Sequence, residues 1–282
     1  MKKHLRTIIT VLLAVIFIGS AAAVILQLRE RNLAEQAYEN AVEIALPSPT
    51  PTPEPAEEEI APPPVPLAPE PEPTPEPVVE EPKEELPEEA KFLLDIDLAA
   101  LRAVNEDVIG WIHVPDTAIS YPLLKSADNN EYLKLTWDRE YSRAGSIFME
   151  QRSSVDFSDF HTLIYGHNLH DGKMFSGLMD FRKQEYSDSH SLVYIVTDGA
   201  VLRYEVFSSY IADVVSDSYR LLFDDDEHRQ SVIDFYLGCS EIEGDLRPAA
   251  DDKILSLSTC TGWGNNDIRC IVHAVQTGVF ER

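Results

Sequence analysis

Cys260 closes the run Ile254-Leu-Ser-Leu-Ser-Thr-Cys260, Arg269 opens the run Arg269-Cys-Ile-Val-His-Ala-Val-Gln276, and His167 ends Leu163-Ile-Tyr-Gly-His167. These types, each at the end of an apolar run, suit a nucleophile, a proton-transfer partner and a cation facing a developing oxyanion. A lone cysteine after a strand is more often a small buried hydrophobe than a nucleophile. Cys260 is set apart by its company. Ser256, Ser258 and Thr259 make its strand end polar, as expected where a strand surfaces into a groove, and Thr261-Gly262 turn the chain away. A reactive thiol needs positive charge nearby to persist as thiolate, and Arg269 and His167 are the available groups. Arg269 alone reads equally well as a solvated strand end.

The competing residues carry weaker patterns. Period-two alternation puts Arg269, Ile271 and His273 on one face of their strand and Cys270, Val272 and Ala274 on the other, so Cys270 should point away from any site containing Arg269. Cys239 and Cys270 read as small buried hydrophobes, and three cysteines are too few for a disulfide scaffold. Of the eight histidines, His113, His161, His190, His228 and His273 show no distinctive local pattern. His167 and His170 form a His-x-x-His pair without a third and fourth ligand cluster nearby, so no metal is expected, and no cofactor either. His170 reads as a loop residue beside an Asp171-Gly172 turn.

Strand-like runs rich in Ile, Val, Tyr and Phe recur at 109–114, 117–124, 145–149, 162–166, 192–197, 201–213, 253–259 and 269–277. Eight short strands with few intervening helices favour a mainly β fold, a closed barrel or a sandwich, over a doubly wound sheet. One helix is expected within the series at 225–238, with acidic residues at its start, Val232, Phe235 and Tyr236 at helical spacing, and Gly238 as its stop. A helical segment is also expected over 87–104, with Phe92, Leu93, Ile96 and Leu101 on its inner side.

The chain ahead of this unit differs in kind. Residues 7–28 contain no charge across 22 positions. As a helix they would cover roughly 33 Å, enough for a bilayer core. Lys2, Lys3 and Arg6 place residues 1–6 in the cytoplasm, and the length of the apolar run favours an uncleaved anchor over a signal peptide, despite the small residues Ala21-Ala22-Ala23. Residues 29–46 form a juxtamembrane segment. Between Pro47 and Pro87 fall 16 of the 19 prolines, so 47–89 reads as an extended, disordered Pro/Glu-rich spacer. Net charge is +1 over 1–46, −12 over 47–89 and −15 over 90–282, which gives no basic surface for a nucleic acid and a spacer that repels itself. The catalytic or binding domain is expected over 90–282.

Several segments, in order, resemble the sortase family, most closely class B. They are Gly110-Trp-Ile-His-Val-Pro, Tyr121-Pro, Asp128-Asn-Asn-Glu-Tyr-Leu133, Gly145-Ser-Ile-Phe148, Tyr165-Gly-His167-Asn followed by Asp171-Gly-Lys-Met-Phe175, and Leu257-Ser-Thr-Cys260 with Arg269. The sequence departs from the family pattern at Leu257 and Cys270. The resemblance implies a closed eight-stranded β-barrel with an N-terminal helical extension and a helix in the connection before the cysteine strand. It implies a cysteine transpeptidase with His167, Cys260 and Arg269 as catalytic residues, and Asn129, Leu133, Ser258 and Thr259 contacting substrate. Implied partners are surface proteins bearing a C-terminal sorting signal cleaved after Thr, and an amine from a peptidoglycan precursor or a pilin. The setting would be the membrane of a Gram-positive-type envelope, with the catalytic domain outside. The competing expectation is an exported barrel module for binding or assembly, with an unreactive Cys260.

Overall fold

The computed structural model describes residues 2–46, 85–262 and 267–282. Eight strands close into a barrel: β1 (Val108–His113), β2 (Ser120–Leu124), β3 (Ile147–Met149), β4 (His161–Tyr165), β5 (Leu192–Val196), β6 (Ala200–Asp213), β7 (Ile254–Cys260) and β8 (Ile268–Glu281). Their order around the barrel is β1-β2-β3-β4-β7-β8-β6-β5. Only β2/β3 and β4/β7 pair in parallel. All eight expected strands are present, and closure resolves barrel against sandwich.

Strand ends differ from the sequence reading for local reasons. β2 starts at Ser120 because Asp116 adopts φ +57° and Val114 N–H bonds Ile119 O at 2.8 Å, using the preceding residues for a turn. β3 starts after Gly145, whose φ is +58°. β8 runs on to Glu281 because β6 is equally long and pairs with it from Ala200↔Glu281 to Asp213↔Ile268.

Alternation sorts side chains between two environments. Leu255, Leu257, Cys270, Val272 and Ala274 join Ile112, Leu123, Ile147, Ile164 and Ile195 in the barrel interior. A short helix α3 (Gln184–Ser189) precedes β5, and the opposite face of β4, β7, β8 and β6 is covered by helix α4 (Asp226–Cys239) and the segment before it. There Val232, Ile233 and Tyr236 pack on Phe207, Ile254 and Val275. The Asp225 carboxylate caps this helix by accepting from His228 N–H at 2.8 Å. Gly238 does not stop it, and Cys239 ends it exposed rather than buried, because the inward stripe runs through Val232, Ile233 and Tyr236. All three cysteines are free.

The N-terminal extension is two elements, not one. A 3₁₀ helix over Glu88–Asp95 is followed by α2 (Leu98–Val104), and the Asp97 side chain accepts Ala100 N–H between them, at 2.9 Å. Glu88 and Glu89 therefore belong to a folded element rather than to the spacer. Helix α1 (Lys2–Ala45) is continuous, 44 residues, about 66 Å long at ~1.5 Å per residue. It carries an apolar stretch long enough to cross a bilayer. Its second half is not a free juxtamembrane segment, since Ala34, Ala37, Ala41 and Ala45 are buried at helical spacing against the barrel. Ala45 and Leu86 lie in one apolar cluster, and Ala45 O accepts from Asp97 N–H at 2.8 Å. Residues on either side of the stretch 47–84 thus belong to one cluster. The rest of the spacer reading, on 47–84, lies outside the described residues.

Under α4 runs a buried polar chain that no local pattern announced. His161 Nδ1–H donates to Arg220 O at 2.7 Å, since a carbonyl only accepts, which leaves His161 Nε2 to accept from Ser256 Oγ–H at 2.6 Å. Ser256 Oγ then accepts from His273 Nδ1–H at 2.6 Å, and His273 Nε2 from Tyr210 O–H at 3.0 Å. Tyr236 stacks on His273 with ring centroids 3.8 Å apart. Burial pushes His161 down to about 4, against the opposing pull of Arg220 O and Asp159. Burial, and then His161 itself, push His273 well below its ordinary value. Both are neutral in the fold. Unfolded, each binds a proton near pH ~6.5, so the unfolded state holds more protons and stability falls as pH drops from there towards 4. The expected slope is up to ~1.4 kcal/mol per pH unit per histidine. Thermal melts over this range should show a shallower loss for His161→Gln than for the wild type, and parallel slopes would refute the assignment.

Candidate active site

β4 and β7 are parallel neighbours, so their C-terminal ends reach the same rim of the barrel; β8, antiparallel to β7, begins there. The register is Tyr165↔Ser258 across β4/β7 and Cys260↔Arg269 across β7/β8. His167 lies two residues beyond Tyr165 and Cys260 two beyond Ser258, so both follow the same paired rung at this rim. Three bonds sew this level together: Gly166 N–H to Ser258 O at 3.1 Å, Thr259 Oγ–H to Gly166 O at 2.7 Å, and Asn168 Nδ2–H to Cys260 O at 2.8 Å. His167, Cys260 and Arg269 sit on three adjacent strand ends, and all three are half-buried.

Alternation separates the thiols as the sequence indicates. Cys260 follows Ser256 and Ser258 on the outer face. Cys270 is fully buried inside the barrel, its thiol 3.3 Å from Leu178 O and pushed up to about 12 by burial. It is chemically quiet. Beside the Cys260 level, Tyr219 closes the outer face, with its hydroxyl 2.9 Å from Ser258 Oγ. Burial pushes that phenol up to about 12, against opposing contributions from the Ser258 bond and the Arg269 guanidinium.

His167 is held by backbone. Its Nε2 lies 2.8 Å from Leu133 O, so this nitrogen carries the proton in that contact and Nδ1 is left outside it. The ring also rests on Gly145: a Cβ there would fall 2.7 Å from His167 Cδ2, 2.7 Å from Tyr132 O and 2.9 Å from Leu133 O. Below the ring, the His167–Phe175 loop is closed by Phe175 N–H to His167 O at 2.9 Å and by a bridge between Asn168 and Met174. His170 is exposed on this loop, and Gly172 has φ +80°.

The four residues associated with substrate contact are distributed unevenly. Leu133 exposes its side chain while its carbonyl supports His167. Ser258 and Thr259 are buried, with hydroxyls already bonded to Tyr219 and Gly166. Asn129 Nδ2–H donates to Glu150 Oε2 at 2.6 Å, and its Oδ1 accepts Gln151 N–H at 2.8 Å. Glu150 was not singled out by sequence. Only 2% exposed at the end of β3, it also accepts from Tyr165 O–H at 3.0 Å and Arg152 Nε–H at 2.9 Å. Burial pushes its carboxyl up, but the bonds from Arg152, Tyr165 and Asn129 outweigh this and hold it below the usual range. A cavity of about 610 Å³ lies between α1 and the barrel, with Tyr38, Tyr121, Ala144 and Lys173 among its walls, and not over Cys260. Among the described residues no group of His, Cys, Asp and Glu is placed to hold a metal.

Gly145 gives a direct test of this packing. Gly145→Ala places a Cβ in a left-handed residue and against the His167 ring. It should cost about 1–3 kcal/mol in a denaturant melt and displace the His167 ring resonances. Unmoved resonances would show the contact to be slack.

The sequence matches the sortase-domain family model over residues 112–277. It is 33% identical to sortase B of Staphylococcus aureus over 161 residues, 57% of this chain and 66% of that protein, just under two thirds of its length. To sortase B of Listeria monocytogenes it is 31% identical over 166 residues, 58% of this chain and 67% of the other. Among solved structures it is similar to S. aureus sortase B (TM-score 0.60, 32% identity, 64% of this chain and 85% of that one). It is also similar to sortase B complexed with triglycine (TM-score 0.61, 31% identity, 67% and 87%). A Bacillus anthracis protein described as similar to sortase B gives a TM-score of 0.58 at 34% identity, over 66% and 83%. With this barrel, this rim and a match over more than half its length, the chain belongs to the sortase family, a family of cysteine transpeptidases.

Proposed function

We propose that this chain is a membrane-anchored cysteine transpeptidase that cleaves a C-terminal sorting signal after Thr and transfers the acyl group to an amine. The observation that carries the reading is the common level of His167, Cys260 and Arg269 on adjacent strand ends. The Cys260 thiolate adds to the carbonyl carbon of the Thr, and the electron pair moves to oxygen. Arg269 donates hydrogen bonds to that oxyanion. As the tetrahedral species collapses, the C–N bond breaks and His167, as imidazolium, protonates the leaving amine. An incoming amine then adds to the thioester, passes its proton to His167 and expels Cys260 as thiolate. Leu133 supplies exposed apolar surface beside His167 for the signal peptide. Asn129 shapes the same side through Glu150, and Ser258 and Thr259 hold the rim around the nucleophile.

The acceptor is an amine from a peptidoglycan precursor or a pilin. The solved sortase B complexed with triglycine, a short peptide, supports an amine-ended acceptor. The acyl donors are surface proteins bearing the sorting signal. Residues 1–6 lie in the cytoplasm, 7–28 span the membrane of a Gram-positive-type envelope, and the domain from 90 to 282 works outside, carried on the second half of α1.

Two measurements check this. Cys260→Ala should abolish both signal-peptide cleavage and the covalent adduct, and retained cleavage would sink the reading. Arg269→Lys keeps the charge but loses the guanidinium fork, so kcat should fall by about 10²–10³ while a thiol-reactive probe still labels Cys260. A Cys260 that resists such a probe at neutral pH would favour a non-catalytic module.

A further inference from the structure

The second half of α1 grips the two loops that hold His167. Tyr38 donates its hydroxyl to Gly145 O at 2.5 Å. Gly145 is wedged between the His167 ring and the carbonyls of Tyr132 and Leu133, and Leu133 O is the acceptor for His167 Nε2. The bond from α1 thus lands on a residue packed beside both the imidazole and its backbone partner. Nearby, Glu30 Oε1 accepts Arg143 N–H at 2.8 Å, and Ala37 O accepts Trp137 Nε1–H at 2.6 Å.

The second loop is tied as well. Arg31 pairs with Asp171 at 3.3 Å and Glu35 with Lys173 at 2.6 Å. That loop starts and closes at His167, through the Phe175 N–H bond to His167 O. Its other support, Tyr121, accepts Met174 N–H at 3.2 Å and packs edge-on against Tyr38, ring centroids 5.2 Å apart. Separate side chains of one helical stretch, residues 30–38, therefore reach both walls of the His167 pocket. Surface ion pairs of this kind contribute little alone; the half-buried Tyr38 bond is the stronger tie.

We propose that residues 30–38 of α1 are part of the catalytic apparatus and that Tyr38 is a positioning residue, holding the His167 imidazole level with Cys260 through the Gly145 carbonyl. The inference rests on the reading of His167 as the proton-transfer group. It makes the anchoring helix and the active site one mechanical unit, so that a displacement of the helix at the membrane surface reaches the imidazole through the loops it grips.

Tyr38→Phe in the full chain, held in detergent micelles, tests this, because it keeps the ring against Tyr121 and removes only the hydroxyl. Glu43→Gln, an exposed change on the same helix, is the control. The His167 ring resonances should move in Tyr38→Phe and stay in place in Glu43→Gln. In signal-peptide turnover, kcat should fall about tenfold with KM within about twofold, and the pH profile should shift. Wild-type resonances and an unshifted pH profile in Tyr38→Phe, whatever its melting temperature, would overturn the proposal and leave Tyr38 a packing residue. The magnetic resonance arm does not need turnover. A wild type that forms no adduct at Cys260 would overturn the transpeptidase reading, whereas unmoved His167 signals would overturn this one.

Discussion

The structure turns on the parallel pairing of β4 with β7. Parallel neighbours end on the same side of a sheet, so the histidine that follows one strand and the cysteine that ends the other arrive at one rim. Antiparallel β8 starts at that rim and brings Arg269 opposite Cys260. A slip of one residue in β7 would turn Cys260 into the barrel and bring Thr259 out, because the side-chain period is two. The register is held by two opposed demands: Leu255 and Leu257 must enter the apolar interior, while Ser256 must meet His161 and His273 on the outer face.

Those demands explain why the outer face of β7 is polar yet buried. Three serine or cysteine positions in alternation would expose a weak strand unless something covered them. Helix α4 and the Tyr219 segment do so, and each polar atom of Ser256 and Ser258 has a partner. A buried, fully bonded polar chain tolerates little sliding, since each lost bond leaves an unsatisfied group in a dry setting. Glu150 has a comparable place at the end of β3, where Asn129, Arg152 and Tyr165 converge on one carboxylate.

Helix α1 changes how the chain is divided. Composition separates an apolar span, a short link, a Pro/Glu-rich spacer and a folded domain, and suggests a barrel on a long tether. The folded chain instead carries the span's own helix onto the barrel, and Ala45 and Leu86 meet in one cluster. The alanines at 34, 37, 41 and 45 carry that signal in the sequence, at helical spacing. They are small, and next to a 22-residue apolar run they read as an ordinary continuation of the helix.

Much of the site was legible residue by residue. Apolar runs of the right length announced all eight strands, alternation separated Cys260 from Cys270, and ordered short motifs pointed to the family. Local pattern also marked the helix before the cysteine strand, which runs one residue past Gly238 to Cys239. What local pattern could not reach were contacts made across long separations. His161 and His273 look ordinary in sequence and become interior through Ser256. Glu150 looks like a strand-end charge, and Tyr38 like a surface tyrosine until its hydroxyl finds Gly145, 107 positions away. The strands, their faces and the chemical types at the rim follow from periodicity and residue chemistry within one segment. Which strands are neighbours, where their ends stand and which distant groups steady them do not. Those depend on closure of the barrel, which no single segment encodes.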